Sequence, residues 1–200
     1  NTMHPHHHAQ LSPDKVAYVM ADSGERVTYA QLEARSNQFA HLLRSLGLQA
    51  GDHMAVLLEN HPRFFEICFG AQRAGIIFTA ISTRLKASET AYIIDNCGAR
   101  LLVTSQALAA LAGEIVPLTP GVQHRLMIDG TSAGHPALEP LMATQAITPI
   151  PDPSAGGDRT PGHSRPPTGP GSGPGRRPRP GRDRIDRRTG RRGESAERSP

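Results

Sequence analysis

The sequence predicts an α/β fold with a mainly parallel sheet and helices on both of its faces. Strand-like and helix-like patterns alternate with short connections across residues 12–150. The strand pattern at 54–58 is a continuous apolar run, which is typical of a strand covered on both faces. Glycine follows three helix patterns, at Gly47, Gly75 and Gly98, where it favours helix termination.

The first elements are a hairpin and a helix. Segments 15–21 and 26–29 flank the turn sequence at 22–25, so we expect two antiparallel strands. Thr28 then caps a helix, because Gln31 completes a capping box and apolar residues follow at helical spacing.

The central elements alternate regularly. After the strand at 54–58, we expect Asn60 to cap a second helix with Pro62 in its first turn and most of its circumference buried. A second fully apolar strand, 76–81, has the pattern of a strand that normally carries layers on both sides. The remaining predicted elements are a helix at 89–96, a strand at 101–104, a helix at 108–115, a strand at 123–128 and a short helix at 137–144.

Composition divides the 200-residue chain into three parts. Residues 1–11 form a His-rich segment that we expect to be flexible, and 12–150 form the folded part. Residues 151–200 contain 12 Arg, 10 Pro and 10 Gly, which cannot build a core, so we expect a disordered tail. The formal charge is −2 over residues 1–150 and +6 over residues 151–200.

Sequence signals for a membrane or secretory protein are missing. No apolar run approaches the roughly 18–20 residues of a membrane span, and no signal peptide opens the sequence. Cys68 and Cys97 are not part of closely spaced pairs, so we interpret them as reduced thiols. We therefore expect a cytoplasmic protein with no membrane span.

The segment 130–134, GTSAG, matches the G-x-S-x-G pattern of a hydrolase nucleophile and follows a strand. That site requires a helix directly after the serine, so that backbone amides face the oxyanion. His135 and Pro136 intervene here, and we expect a polar loop instead.

Two further groups could carry chemistry. His4, His6, His7 and His8 could share a metal ion, although a flexible terminus lacks preorganised geometry. Glu59 and His61 could act as acid and base, but we favour a strand-to-helix corner. The sequence contains neither of the glycine-rich phosphate-binding patterns, G-x-x-x-x-G-K-[ST] or G-x-G-x-x-G between a strand and a helix.

The order of several motifs resembles the opening of an adenylate-forming acyl-CoA synthetase, closest to the fatty-acid–CoA ligases. The resemblance extends over about residues 12–158. It is carried by five blocks in the family's order, 12–17 (SPDKVA), 27–32 (VTYAQL), 55–66 (AVLLENHPRFFE), 70–75 (GAQRAG) and 85–99 (LKASETAYIIDNCGA).

The resemblance implies the α/β fold of the N-terminal region of the acyl-CoA synthetase large domain, and it implies a reaction. Such ligases use ATP and Mg²⁺ to convert a fatty acid to an acyl-adenylate, then transfer the acyl group to coenzyme A. Their phosphate loop ends in Pro-Lys-Gly, and a catalytic lysine lies on a C-terminal domain. This sequence contains neither, since its lysines are Lys15 and Lys86. We therefore assign no catalytic, cofactor-binding or metal-binding residue and expect no cofactor for this fragment.

The departure from the family begins at Arg159, where the Arg/Pro/Gly-rich sequence replaces the expected phosphate loop. A change of reading frame in a GC-rich gene would explain it, and translating the other two frames would test this. We expect an N-terminal ligase fragment that is inactive alone and could self-associate through exposed apolar faces. The alternative is a non-catalytic binding module whose basic tail holds anionic polymers or, weakly and non-specifically, nucleic acid.

Overall fold

The computed structural model describes residues 5–151, and the predicted tail from residue 152 onward lies outside them. Over these residues the strands are β1 Val16–Val19, β2 Arg26–Thr28, β3 His53–Leu57, β4 Ile77–Ala80, β5 Ala99–Ser105 and β6 His124–Ile128. The α-helices are α1 Pro5–Leu11, α2 Tyr29–Ser45, α3 Phe64–Arg73, α4 Ala87–Asn96, α5 Ala109–Ile115 and α6 Leu138–Ala143.

The central sheet is parallel and has the strand order β4-β3-β5-β6. The chain moves from β3 outward to β4, and then returns past β3 to place β5 and β6 on the other side. Helices therefore cover both faces of the sheet, as the sequence predicts.

The two faces of the sheet carry separate cores. Met54 and Val56 of β3 pack on one face with residues of α2, α3 and α6. The alternate residues of β3, Ala55 and Leu57, pack on the other face with residues of α4 and α5. Because successive side chains of a strand point to opposite faces, a fully apolar strand is required here. β3 is therefore buried on both sides, which confirms the prediction.

Local signals at α2 are also confirmed. The Thr28 hydroxyl accepts from the backbone N–H of Gln31 at 3.3 Å, and the Gln31 side chain accepts from the Thr28 N–H at 2.9 Å. This reciprocal pair satisfies two donors that the helix leaves unpaired at its start. Gly47 ends the helix with φ of +80°, in the left-handed region.

The N-terminal segment differs from the prediction. Residues 5–11 form α1, where the sequence favoured a flexible segment. His6 Nδ1 lies 2.9 Å from Glu33 Oε1, and the ring of His8 stacks on Tyr29. These contacts with distant residues hold a helix that seven residues could not maintain alone.

One expectation about the helix that follows β3 was wrong. Asn60 does not cap α3, which begins at Phe64 with Arg63 in the N-cap position. The His61 ring instead accepts the Arg63 N–H, and Pro62 lies in the turn that closes from Phe64 N–H to the His61 carbonyl. β4 is an edge strand of the sheet, and Ile77 on it is 50% exposed.

Candidate functional site

The candidate site lies at the carboxyl ends of β3, β5 and β6. In open α/β sheets, ligands bind where neighbouring strands connect in opposite directions. This reversal falls between β3 and β5, because β3 leads to β4 on one side and β5 leads to β6 on the other. Polar residues lie at or just after these strand ends: Glu59, Ser105 and Asp129.

Two hydrogen bonds join the strand ends. The Ser105 hydroxyl at the end of β5 donates to Glu59 Oε2 at 2.6 Å, directly across the reversal. His61 Nε2 lies 2.9 Å from Asp129 Oδ2, which follows β6. Because His61 Nδ1 accepts from the Arg63 N–H, Nε2 carries the proton that is shared with Asp129. Glu59 and His61 thus bind different strands, as expected for a structural corner.

The β1–β2 hairpin closes over this corner. The Tyr18 hydroxyl donates to the Pro62 carbonyl at 2.5 Å, and the rings of Tyr18 and Phe65 lie 5.1 Å apart. Burial, followed by the nearby Glu66 carboxylate, raises the pKa of Tyr18 to about 12. The hydroxyl therefore stays protonated and acts as a hydrogen-bond donor.

A buried carboxylate organises the floor of the corner. Glu66 is fully buried in α3; Arg63 Nη1 lies 2.9 Å from its Oε1, and Arg35 Nη1 lies 3.6 Å from its Oε2. Burial raises the pKa of Glu66, while the two guanidinium groups counteract this shift. Arg63 Nε also lies 3.3 Å from Glu139, so one guanidinium links α3 to α6.

Two adjoining clefts open above these residues. One, of about 510 Å³, has an apolar wall that includes Val19, Leu58 and Phe64. The other, of about 400 Å³, is lined by Arg35 and Arg63 together with four carboxylates, those of Asp22, Glu25, Glu59 and Asp129. The protein's own acidic groups already bind both arginines. Such a cleft would repel a triphosphate.

The segment 130–134 forms a loop. Ser132 and His135 exchange two backbone hydrogen bonds in a tight turn, and the next helix begins only at Leu138. No helix N-terminus therefore follows Ser132 to supply the oxyanion donors of a hydrolase. The Ser132 hydroxyl lies 3.4 Å from His135 Nδ1, but His135 is fully buried and its pKa is lowered by burial.

The other sequence candidates are also accounted for. Within residues 5–151 no group of three or more His, Cys, Asp and Glu side chains could hold a metal ion. His6 contacts Glu33 of α2, and His8 stacks on Tyr29, the first residue of α2. His4 lies outside the described residues. Cys68 is buried, and burial raises the pKa of its thiol to about 12. Cys97 is half-buried and donates to the Ile94 carbonyl.

Sequence reasoning missed the residues that hold this corner together. Ser105, Asp129 and Glu66 were not singled out, although Ser105 ends one apolar strand and Asp129 follows another. Polar residues at the carboxyl ends of parallel strands are the signal that could have found the first two. Glu66 offers no such signal, because it lies inside an apolar helix pattern.

Similarity to known proteins was found at the level of family and of individual relatives. The family model described as AMP-binding enzyme matches residues 5–161. Long-chain fatty acid transport protein 1 of Bos taurus is 31% identical over 153 residues, which are 74% of this chain and 24% of that protein. Long-chain-fatty-acid–CoA ligase FadD13 of Mycobacterium tuberculosis is 36% identical over 95 residues, 48% of this chain and 19% of the ligase.

Solved structures match the same region. The N-terminal domain of FACL13 from Mycobacterium tuberculosis aligns with a TM-score of 0.68 and 27% identity, covering 77% of this chain and 38% of that one. A Mycobacterium tuberculosis fatty acyl CoA synthetase aligns with a TM-score of 0.66 and 26% identity, covering 74% and 29%. The chain thus spans a quarter or less of the two curated relatives and well under half of these structures.

Proposed function

Because this chain belongs to the AMP-binding enzyme family, we propose that it forms the N-terminal part of a fatty-acid–CoA ligase. The observation that carries the proposal is the match of the family model across residues 5–161. The family reaction joins a fatty acid to coenzyme A through an acyl-adenylate and uses ATP and Mg²⁺. The described residues supply a sheet whose strand ends face the crevice in which α/β proteins bind ligands.

We propose that the 200-residue polypeptide does not catalyse this reaction alone. Adenylation requires donors that stabilise charge at the α-phosphorus of ATP as the carboxylate attacks it and pyrophosphate leaves. The sequence has no Pro-Lys-Gly phosphate loop, and its two lysines, Lys15 and Lys86, lie outside such motifs. The cleft at the strand ends adds an excess of carboxylates around two paired arginines. We therefore expect neither ATP nor coenzyme A to bind this chain tightly.

None of the helices within the described residues is both long enough and apolar enough to span a bilayer. We propose that the polypeptide resides in the cytoplasm and that apolar surface left open on the sheet promotes self-association. Ile77 and Phe78 of β4, 50% and 38% exposed, support the latter.

A graft tests the ligase proposal directly. Residues 12–150 would replace the corresponding N-terminal region of the FadD13 ligase, and ATP-dependent thioester formation with a long-chain fatty acid would be measured. We expect activity well above background, because the grafted sheet presents the same strand ends to the remainder of the ligase. The matched control carries Leu102→Asp in the fully buried β5 core, which should abolish both folding and activity.

One result would contradict the proposal. A soluble, monodisperse graft with a cooperative thermal transition but no activity would show that these residues cannot serve as a ligase N-terminal region. The parent ligase, assayed beside it, excludes failure of the assay.

A non-catalytic binding module is the second candidate, favoured by the net charge of +6 over residues 151–200. Heparin titrations at several salt concentrations distinguish the two. Non-specific attraction through arginines should weaken steeply as salt rises to about 0.15 M, because binding releases counterions. Saturable binding that survives this salt concentration would favour the binding module.

A further inference from the structure

The outer edge of β4 differs from the other edge of the sheet. At the β6 edge, Met127 forms a parallel bridge to Ala137, and its N–H donates to the Pro136 carbonyl. β4 hydrogen-bonds to β3 on its inner side, and within the described residues no strand pairs with its outer side. The edge is therefore open for pairing.

The backbone groups that face outward can be identified from the ladder. Ile77 N–H donates to the Asp52 carbonyl and Ile81 N–H donates to the Val56 carbonyl, so these residues point their amides toward β3. Alternation along a parallel strand places the N–H and C=O groups of Phe78 and Ala80 on the outer side. This edge thus offers two donors and two acceptors in register for another strand.

β4 is short, with four residues, but its edge lacks the charges, prolines and bulges that also prevent such pairing. Residues 76–81, IIFTAI, contain no charge and no proline, and β4 pairs with β3 without a bulge. Natural edge strands are usually protected by charged residues, lysine above all, by proline, by bulges, by being short, or by a covering segment. An uncharged edge also meets a copy of itself without like-charge repulsion.

The side chains make the edge complementary to itself. Ile76 packs in the core beside α3, and period-two alternation places Phe78 and Ala80 on this same face. A groove of about 400 Å³ runs there between α3 and β4, lined by Cys68, Phe69, Gln72, Ile76, Ile77 and Phe78. A large side chain and a small one, Phe78 and Ala80, would therefore face each other across a two-fold axis.

We propose that the β4 edge binds a second copy of this chain, with the two β4 strands antiparallel and the central sheets continuous. Phe78 of one copy lies opposite Ala80 of the other and exchanges backbone hydrogen bonds with it, and the two Thr79 residues meet at the axis. Such an isologous contact closes as a dimer and leaves neither β4 edge free to pair again. The inference specifies the surface for the self-association proposed above and is independent of the ligase assignment.

Sedimentation equilibrium of the full chain over a range of concentrations tests the inference. We expect a reversible change between the mass of one chain, 21.4 kDa, and twice that mass. Phe78→Lys places a charge at the edge, and Ala80→Pro removes an outward donor while leaving the β3 ladder intact. Each should weaken dimerisation at least tenfold.

Tyr92→Lys is the matched control, because Tyr92 lies on α4 and is 70% exposed. Tyr92 is more exposed than Phe78, which is 38% exposed, so this change removes a larger exposed side chain away from β4 and should leave the dimer unchanged. Circular dichroism would show that each variant is folded. A monomer at every concentration, open-ended aggregation, or equal weakening by Tyr92→Lys would overturn the inference, whatever the ligase assays show.

Discussion

Substitution of Gly70 by alanine tests the close packing of α2 against α3. A Cβ at Gly70 would lie 2.7 Å from the Ser36 carbonyl oxygen and 2.9 Å from both Cβ and Cδ1 of Phe39. The carbonyl oxygen moves only with the α2 backbone, and Phe39 is fully buried, so neither can yield easily.

Two opposing terms set the change in the free energy of unfolding caused by Gly70→Ala. Alanine is a better helix former than glycine by about 1 kcal/mol. Overpacking a tight core costs about 1–3 kcal/mol, and contact with backbone places this site near the upper limit. We therefore expect Gly70→Ala to lower the free energy of unfolding by about 1–2 kcal/mol.

Urea denaturation followed by circular dichroism measures this difference. With a slope of about 2 kcal/mol per molar, the midpoint should fall by roughly 0.5–1 M. Gly113→Ala in α5 is the matched control, because a Cβ there meets no atom within 4 Å. It should raise stability by up to about 1 kcal/mol. If both substitutions stabilise the protein, the packing of α2 on α3 described here is refuted.

Three other predictions concern buried polar groups. Burial lowers the pKa of His135, so at acidic pH the unfolded chain binds a proton that the native state lacks. The free energy of unfolding should therefore fall as pH drops below about 6.5. His135→Phe should flatten this pH dependence, as measured by urea titrations at several pH values. A pH dependence unchanged by the substitution would contradict this. Cys68, with a pKa of about 12, should resist iodoacetamide at pH 8 until the protein unfolds, as mass spectrometry would show; rapid native alkylation would be inconsistent with burial. Arg73→Met should cost about 3 kcal/mol, because it leaves the Glu33 carboxylate without its guanidinium partner, and Arg73→Met with Glu33→Met should cost less; equal losses would exclude a coupled pair.

Local chemistry made much of the fold predictable. The Thr28–Gln31 box and the left-handed glycines Gly47 and Gly98 depend on neighbours in sequence, and the structure confirms all three. The Asn60 cap was wrong because a turn held by the His61 ring separates Asn60 from the start of α3, and Asp129, 68 residues away, binds that ring. No local pattern contains this partner.

Features that depend on strand order were harder to predict. The apolar run at 76–81 matches that of a central strand, and only the arrangement β4-β3-β5-β6 places it at an edge. The candidate site also depends on strand order. Glu59 and Ser105 lie 46 residues apart in sequence and meet only because β3 and β5 are neighbours in the sheet. Sequence reasoning located the strand ends, and tertiary pairing decided which polar groups meet there.

Pyrophosphate release from the purified 200-residue chain, with ATP, Mg²⁺ and a long-chain fatty acid, tests most directly the central proposal that these residues alone do not activate a fatty acid. The proposal requires release no faster than in the absence of protein, because the sequence holds no phosphate loop and its cleft presents paired arginines among carboxylates. The intact FadD13 ligase provides the positive control. Release that depends on both the fatty acid and this chain, and that persists in repeated purifications, would contradict the proposal.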